Sequence, residues 1–442
     1  MRVVPQSRLA IDSIAAGGDG VGRADGFVVF VPRTAPGDVA EVEWSAKGRF
    51  GRGRVVALDA PSSVRVDPPC EHYVHDNCGG CQLQHMSYAA QLEAKGAIVH
   101  DSLERIGKRQ VVPPRVRPSA HEWRYRRKLT LALRRRGERW IAGLHPYDSP
   151  VKVFELRDCP ITDLAVLAAW REVMAAADDL PNAAELRGAV RLSEAGISFV
   201  LEGGKRWPRA KRFLERAPSL AALWWLREGA KDPELVAHRA TVQLGAHVAP
   251  SASETGDAPV RLGRPSAEDE DDVPGASFEQ INAAVAAELR GYVIERVMSH
   301  APRTLVDAYS GAGDLAVALA SAGPRVTAIE LDSAAAARCG DLLPAESRSI
   351  VARVEDALPS ALPADVVVLN PPRRGVDERV TAELQERAPE TRAIVYVSCN
   401  PATLARDLAR LPRWRIASLL AFDMFPQTAH VETVCELVPE AA

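Results

Sequence analysis

No stretch of this 442-residue chain approaches the about 20 consecutive apolar residues that a membrane-spanning helix needs. The opening MRVVPQSRLAIDS lacks the apolar core of a secretory signal. The two absences lead us to expect a soluble, cytoplasmic protein with no membrane contact. A G-x-x-x-x-G-K-[ST] motif is also missing, which argues against a P-loop nucleotidase. Cysteine is scarce: seven residues in a chain this long do not make a disulfide scaffold. No internal repeat is visible, and nothing calls for an obligate protein partner.

What is there is apolar and unevenly charged. With 47% hydrophobic residues the chain can bury real cores, and its length allows roughly three domains of about 150 residues. The net charge of −3 averages over opposite segments. Residues 103–140 carry 13 Lys/Arg against 3 Asp/Glu, whereas residues 250–275 carry 2 against 7. A basic segment inside an acidic chain suggests a local polyanion site.

Four regions follow from pattern. Residues 1–60 read as short strands between glycine turns, notably Phe27–Val31, Val39–Trp44 and Arg52–Leu58, and predict a small OB-like β-barrel. Within it Lys47, Arg49, Arg52 and Arg54 flank Phe50, a mix suited to phosphates and base stacking, although a solvated rim would look the same. Residues 61–250 hold a cysteine cluster and a mixed α/β segment with a basic face. Residues 251–275, rich in Pro, Gly, Ser and acid, read as a flexible loop. Residues 276–442 alternate apolar strands (TLVDAYS, RVTAIEL, ADVVVLN, AIVYVSC) with helical stretches, which predicts a doubly wound, Rossmann-like parallel sheet.

The ends of those strands carry the chemistry. Asp307-Ala-Tyr309-Ser-Gly311-Ala-Gly313-Asp314 is a glycine turn entering a helix, where a ligand can approach the backbone. The next strand ends in Glu330, an acid placed to accept hydrogen bonds from ribose hydroxyls. The third ends in Asn370-Pro-Pro-Arg373, a rigid turn able to present an amide and carbonyls to a substrate base. The three together point to an adenosylmethionine-binding fold. The fourth strand ends in Ser398-Cys399-Asn400-Pro401, so Cys399 stands at a helix N-terminus. There the dipole is expected to lower its pKa and make it a nucleophile; a lone buried cysteine is otherwise inert core. Glu432, in His430-Val-Glu432-Thr, offers a carboxylate that could act as general base.

Cys70, Cys78 and Cys81 cluster in CEHYVHDNCGGCQLQH, and Cys159 is a plausible fourth ligand; spacing alone allows zinc or an iron–sulfur cluster. Trp123-Arg-Tyr-Arg-Arg-Lys128, followed by Arg134, Arg135 and Arg136, interleaves aromatics with cations as RNA contacts do, or as a strand with a basic face does. Lys205–Arg216 reads as a solvated basic helix.

The chain resembles the RNA uracil-C5 methyltransferase family, the tRNA and 23S rRNA 5-methyluridine enzymes. The resemblance rests on FEQIN (Phe278–Asn282), DAYSGAGDLA (Asp307–Ala316), NPPRRG (Asn370–Gly375), SCNPATLARDL (Ser398–Leu408) and DMFPQTAHVETV (Asp423–Val434), and covers essentially the whole chain. It implies Cys399 as the nucleophile toward carbon 6 of uracil and Glu432 as the base removing the carbon-5 proton. It implies Gln280, Tyr309, Asp314, Glu330, Asp356 and Asn370 as S-adenosylmethionine contacts. It also implies that Cys70, Cys78, Cys81 and Cys159 hold a [4Fe-4S] cluster. The N-terminal barrel resembles a TRAM domain, an RNA-binding module. Barrel plus cluster favours 23S rRNA as substrate over tRNA, since many tRNA enzymes of the family lack both. Two departures stand: many members have Asp at the position of Asn370, and Ser310 replaces a cysteine that is not the nucleophile.

Other readings are an amino-group methyltransferase, which shares Asn-Pro-Pro but usually follows it with an aromatic rather than Arg373, and a non-catalytic RNA-binding assembly factor with a metal cluster. Arg373 in place of the aromatic, and a cysteine nucleophile that such enzymes do not need, speak against the first; Cys399, Glu432 and the intact cofactor turn speak against the second.

Overall fold

The structure, a computed structural model, describes residues 6–239, 260–261, 281–387 and 389–440. The chain divides into two compact units: residues 1–67, 82–120 and 283–442 in one, and 68–81 and 121–282 in the other.

The first unit begins with a six-stranded sheet ordered Gln6–Ala10, Val39–Lys47, Phe50–Ala60, Phe27–Val31, Gly20–Ala24, Ser13–Ile14. Its first and last strands are one stretch of chain, parted by only Ile11 and Asp12, so the sheet curls back on itself. Leu9, Ile11, Val29, Val31, Val42 and Trp44 fill the interior. Alternation along Val39–Lys47 sends Ala40, Val42 and Trp44 inward and leaves the polar positions out.

The same unit contains an eight-stranded sheet. Five parallel strands run in the order Arg348–Val351, Arg325–Glu330, Thr304–Ala308, Val366–Leu369, Ala393–Ser398. The strands VVVL and AIVYVS are wholly buried, as expected where helices cover both faces of a parallel sheet. Its two faces pack separate apolar cores. The observed helices Asp314–Ser321, Ser333–Leu342, Glu378–Glu386 and Pro401–Ala409 match the periodic stretches of the sequence. The sheet is not purely parallel. Glu432–Pro439 runs antiparallel to Ala393–Ser398, Trp414–Phe422 pairs antiparallel with it, and Val116–Arg117 lies on the edge. The antiparallel strand therefore starts at the rim where the parallel strand ends.

A long helix, Tyr88–Arg105, packs on the helix Pro401–Ala409 and buries Ile98, Val99 and Leu103.

The second unit is a mixed eight-stranded sheet ordered Phe154–Glu155, Arg139–Leu144, Lys128–Arg136, Glu185–Ser193, Gly196–Glu202, Leu220–Leu226, Glu234–Arg239, Val260–Arg261. Helices Leu164–Ala175 and Ala210–Arg216 cover one face around Trp170, Phe199 and Phe213. Apart from Val260–Arg261, the acidic segment 251–275 lies outside the described residues. None of the described helices is long and apolar enough to cross a membrane.

Candidate active site

The carboxyl ends of the parallel strands gather the predicted positions of the first unit along one rim. After Thr304–Ala308 the chain turns sharply. Tyr309 adopts a left-handed φ of 66°, and its amide and that of Ser310 both donate to the Ile329 carbonyl. Gly311 and Gly313 follow with φ of 57° and 93°. Gly313 is required twice over: a Cβ there would stand 2.6 Å from Cys339 Sγ. At Gly311 nothing lies within 4 Å of such a Cβ, so the turn is open on that side.

Glu330 fixes the turn. Its carboxylate accepts from the Gly311 amide at 2.9 Å and from the Leu331 and Asp332 amides at 2.7 and 2.9 Å. Beneath it lies Asp307, wholly buried; burial first, and Glu330 second, push its carboxyl up to about 7. Asp314 is exposed and 3.8 Å from Arg290. Asp356, in the first turn of the helix Val354–Ala361, accepts from Arg379 Nη1 at 2.8 Å. Asn370 is exposed at the end of Val366–Leu369, and its backbone N–H donates to the Ala308 carbonyl at 3.2 Å. Gln280 lies outside the described residues.

Cys399 and Glu432 occupy neighbouring strand ends. Ser398 pairs with Thr433 across the antiparallel ladder, so the next position on each strand is Cys399 on one and Glu432 on the other. Asn400 caps the following helix, its side chain accepting from the Ala402 amide at 3.1 Å, and Pro401 occupies the first turn. The expected lowering of the Cys399 pKa by this helix end is overturned. Burial, then the charge of Glu432, push the thiol up, and these outweigh the opposing pull of Arg373. Burial also pushes Glu432 up to about 7, against the same arginine.

Arg373 is a further candidate that the sequence does not single out. Its guanidinium lies beside Cys399 and close enough to Glu432 to lower both, and its loop is tied down. Asn400 Nδ2 and Thr403 Oγ1 donate to the Arg373 carbonyl at 3.1 and 3.3 Å. Buried Asp407 accepts from the Val376 amide at 3.0 Å, from the Tyr396 hydroxyl at 2.7 Å and from Arg406 at 2.7 and 2.9 Å. A rim that offers a thiol, a carboxyl of raised pKa and a cation between them can carry nucleophilic addition followed by proton removal.

In the second unit Cys70, Cys81 and Cys159 pack in one cluster with Tyr73, Tyr125 and Ile161, and Cys78 accepts from the Gly80 amide at 3.4 Å. None of the four is in a disulfide. Among the described residues no group of three or more Cys, His, Asp or Glu side chains is arranged to hold a metal ion. Trp123 and Tyr125, expected to stack on bases, instead pack against these cysteines, and Arg124 pairs with Asp158 at 2.9 Å. The basic run after Lys205 is more than a solvated face: Arg209, Arg212 and Arg216 surround Asp179, the closest at 2.9 Å. On the barrel, Arg52 and Arg54 pair with Asp19 and Glu43. Lys47, Arg49 and Phe50 are exposed at a hairpin tip turning on Gly48, and among the described residues Lys47 and Arg49 form no ion pair.

A sequence profile of the tRNA (Uracil-5-)-methyltransferase family matches residues 345–438, the segment that carries Asn370, Cys399 and Glu432. An RNA methyltransferase of Thermosynechococcus vestitus is 33% identical over 97% of this chain and 97% of its own. An RNA methyltransferase of Halalkalibacterium halodurans is 30% identical over 97% of this chain and 96% of its own. Among solved structures, the Pyrococcus abyssi tRNA (uracil-54, C5)-methyltransferase in complex with S-adenosyl-L-homocysteine matches with a TM-score of 0.69. That match is 24% identical and covers 98% of this chain and all of the other.

Proposed function

Since the chain belongs to the family of S-adenosylmethionine-dependent RNA (uracil-C5) methyltransferases, we propose that it methylates carbon 5 of one uridine in 23S rRNA, with Cys399 as nucleophile and Glu432 as base. The observation that carries this reading is the pairing of Cys399 and Glu432 at adjacent strand ends, beside Arg373.

Carbon 5 of uracil is a poor nucleophile. The Cys399 thiolate adds to carbon 6 and the displaced electron pair makes an enolate, which raises electron density at carbon 5. When bound, S-adenosylmethionine supplies the methyl as an electrophilic sulfonium. The open side of Gly311 and the exposed side chain of Asn370 fit a ligand there, and Tyr309, Glu330, Asp314, Asp356 and Gln280 are the further contacts we assign. The Glu432 carboxylate then takes the carbon-5 proton. The C–H electron pair restores the double bond to carbon 6, the C–S bond breaks, and the thiolate returns. Arg373 holds negative charge at both ends of this sequence. The target uridine must leave its stack to reach the rim.

Cys70, Cys78, Cys81 and Cys159 would hold a [4Fe-4S] cluster. The donor set fits in kind: four cysteines outside any disulfide, with Cys70 and Cys81 buried in one patch, Cys159 packed against it and Cys78 accepting a backbone N–H, as cluster sulfurs do. Its role would be structural, ordering the loops of the second unit. The barrel, with Lys47, Arg49 and Phe50 at an exposed tip, would act as an RNA-binding module of the TRAM kind. The proposed substrate supports a cytoplasmic enzyme.

The family profile's own description favours a second reading, tRNA as substrate. The test is labelled S-adenosylmethionine with unmodified 23S rRNA and tRNA transcripts in parallel, digested to nucleosides. Label in 5-methyluridine from rRNA, lost in Cys399→Ala, is the expected result. Label from tRNA alone overturns the substrate, and label in another nucleoside overturns the chemistry.

A further inference from the structure

The segment that delivers Glu432 is held by residues far from it in sequence. Gln427, five positions before the base, has a left-handed φ of 70°, which a residue with a side chain keeps only when its surroundings enforce it. They do so with four hydrogen bonds. The Gln427 carbonyl accepts from the Gln82 and Leu83 amides at 3.1 and 3.0 Å. Its amide donates to Gln91 Oε1 at 3.0 Å, and its Oε1 accepts from Gln91 Nε2 at 2.9 Å. One turn further along the same helix, Lys95 forms a wholly buried ion pair with Asp423 and donates to the Phe425 carbonyl at 3.0 Å. Residues 82–95 thus hold residues 423–427 through Asp423, Phe425 and Gln427.

The grip is costly to build. A buried lysine and carboxylate are retained only when fully paired, and two well-packed apolar residues would serve stability as well. What the polar grip adds is a fixed geometry, and the element it fixes leads directly into the strand that starts at Glu432.

We infer that Gln91 and Lys95 are positioning residues for the proton-removal step: they set where the Glu432 carboxylate stands relative to carbon 5, and leave the addition of Cys399 untouched. The reason is topological. Cys399 ends the strand Ala393–Ser398 and is followed by its own helix cap at Asn400, and although the helix beyond that cap packs on Tyr88–Arg105, none of the grip's hydrogen bonds reaches Cys399 or the cap; the grip holds residues 423–427, which lead to Glu432 and adjoin its ladder partner Phe422. The inference rests on the reading of Glu432 as base.

The experiment uses the full-length protein with S-adenosylmethionine and uridine-containing RNA, and reads both turnover and covalent protein–RNA adduct on denaturing gels. Glu432→Gln serves as the reference: without proton removal the methylated adduct cannot break down, so it accumulates. Gln91→Met keeps the volume and removes the amide. The expected result is a fall in turnover of about tenfold or more with adduct accumulating toward the Glu432→Gln level. Gln427→Gly, which adopts the left-handed turn freely, is the second variant should Gln91→Met fail to fold, and it is expected to behave the same way. Adduct and turnover falling together, or both staying at the wild-type level, overturns the positioning role. No adduct in Glu432→Gln itself overturns the base assignment instead, whatever Gln91 does.

Discussion

Cys399 and Glu432 stand one step beyond the Ser398–Thr433 pair, at the junction where a parallel strand gives way to an antiparallel one. The junction brings the end of one strand and the beginning of another to the same rim, so a thiol and a carboxyl separated by 32 intervening positions stand side by side, as the proposed nucleophile and base must. Cys399→Ala is expected to abolish methyl transfer and adduct formation alike. Glu432→Gln is expected to cut turnover by about 10²–10⁴, the usual worth of a general base, while adduct persists. Turnover surviving loss of Cys399 would remove the thiol from the reaction.

The pH dependence follows from Glu432. Burial raises its carboxyl to about 7, so the carboxylate form, which is the active base, declines as pH falls through that value. Turnover should rise as Glu432 ionises around pH 7 and go on rising above it as the Cys399 thiol, pushed up by burial and by Glu432, ionises in turn. Arg373 lowers both Cys399 and Glu432. Its replacement by Met therefore moves the limb to higher pH. A limb that moves to lower pH would place the cation elsewhere.

Much of this was legible in the sequence because strand ends advertise themselves. A run such as AIVYVS, closed by Cys-Asn-Pro, marks a buried strand, a capped helix start and an exposed residue between them. Charge and packing across the sheet were not legible. The thiol pKa was read from its helix end alone, yet the desolvation and Glu432 come from elements that only the fold brings close. Trp123 and Tyr125 have the spacing of a stacking platform, but the cysteine loops, distant in sequence, bury Tyr125 and half-bury Trp123. Lys95 looked like any helix lysine, because its partner Asp423 lies 328 positions away.

Gly313→Ala tests the cofactor turn. The new methyl would meet Cys339 Sγ at 2.6 Å in a left-handed conformation that costs a non-glycine residue about 1–2 kcal/mol. Tm should fall by several degrees, and S-adenosylmethionine affinity, read by calorimetry, should drop about tenfold. Adding Cys339→Ala removes the sulfur but leaves its Cβ at 2.8 Å and the backbone strain, so recovery should be slight. Full affinity in the single variant would mean that the turn does not touch the cofactor.

The four thiols of the second unit are tested by metal content. Protein purified without oxygen should carry iron and acid-labile sulfide in equal amounts. Cys81→Ser should lose both, while Cys399→Ala, in the other unit, keeps them. Stoichiometric zinc without sulfide would replace the cluster with a single-ion site.

The barrel tip makes the sharpest separation between binding and chemistry. Lys47 and Arg49 are exposed cations without ion pairs among the described residues, and Phe50, 38% exposed, stands edge-on to Phe30 at 5.7 Å. Stacking on one base is worth about 1–3 kcal/mol, and each phosphate contact contributes about 0.9 to the logarithmic salt slope. Replacing all three by Ala should raise the KM for RNA at least tenfold and flatten the salt slope by about 2, with S-adenosylmethionine affinity unchanged. Single-turnover methylation at saturating RNA should keep its rate, because Cys399 and Glu432 are placed by other elements. A lowered rate at saturation, with KM unchanged, would mean that the tip acts on the reaction rather than on the grip of the RNA.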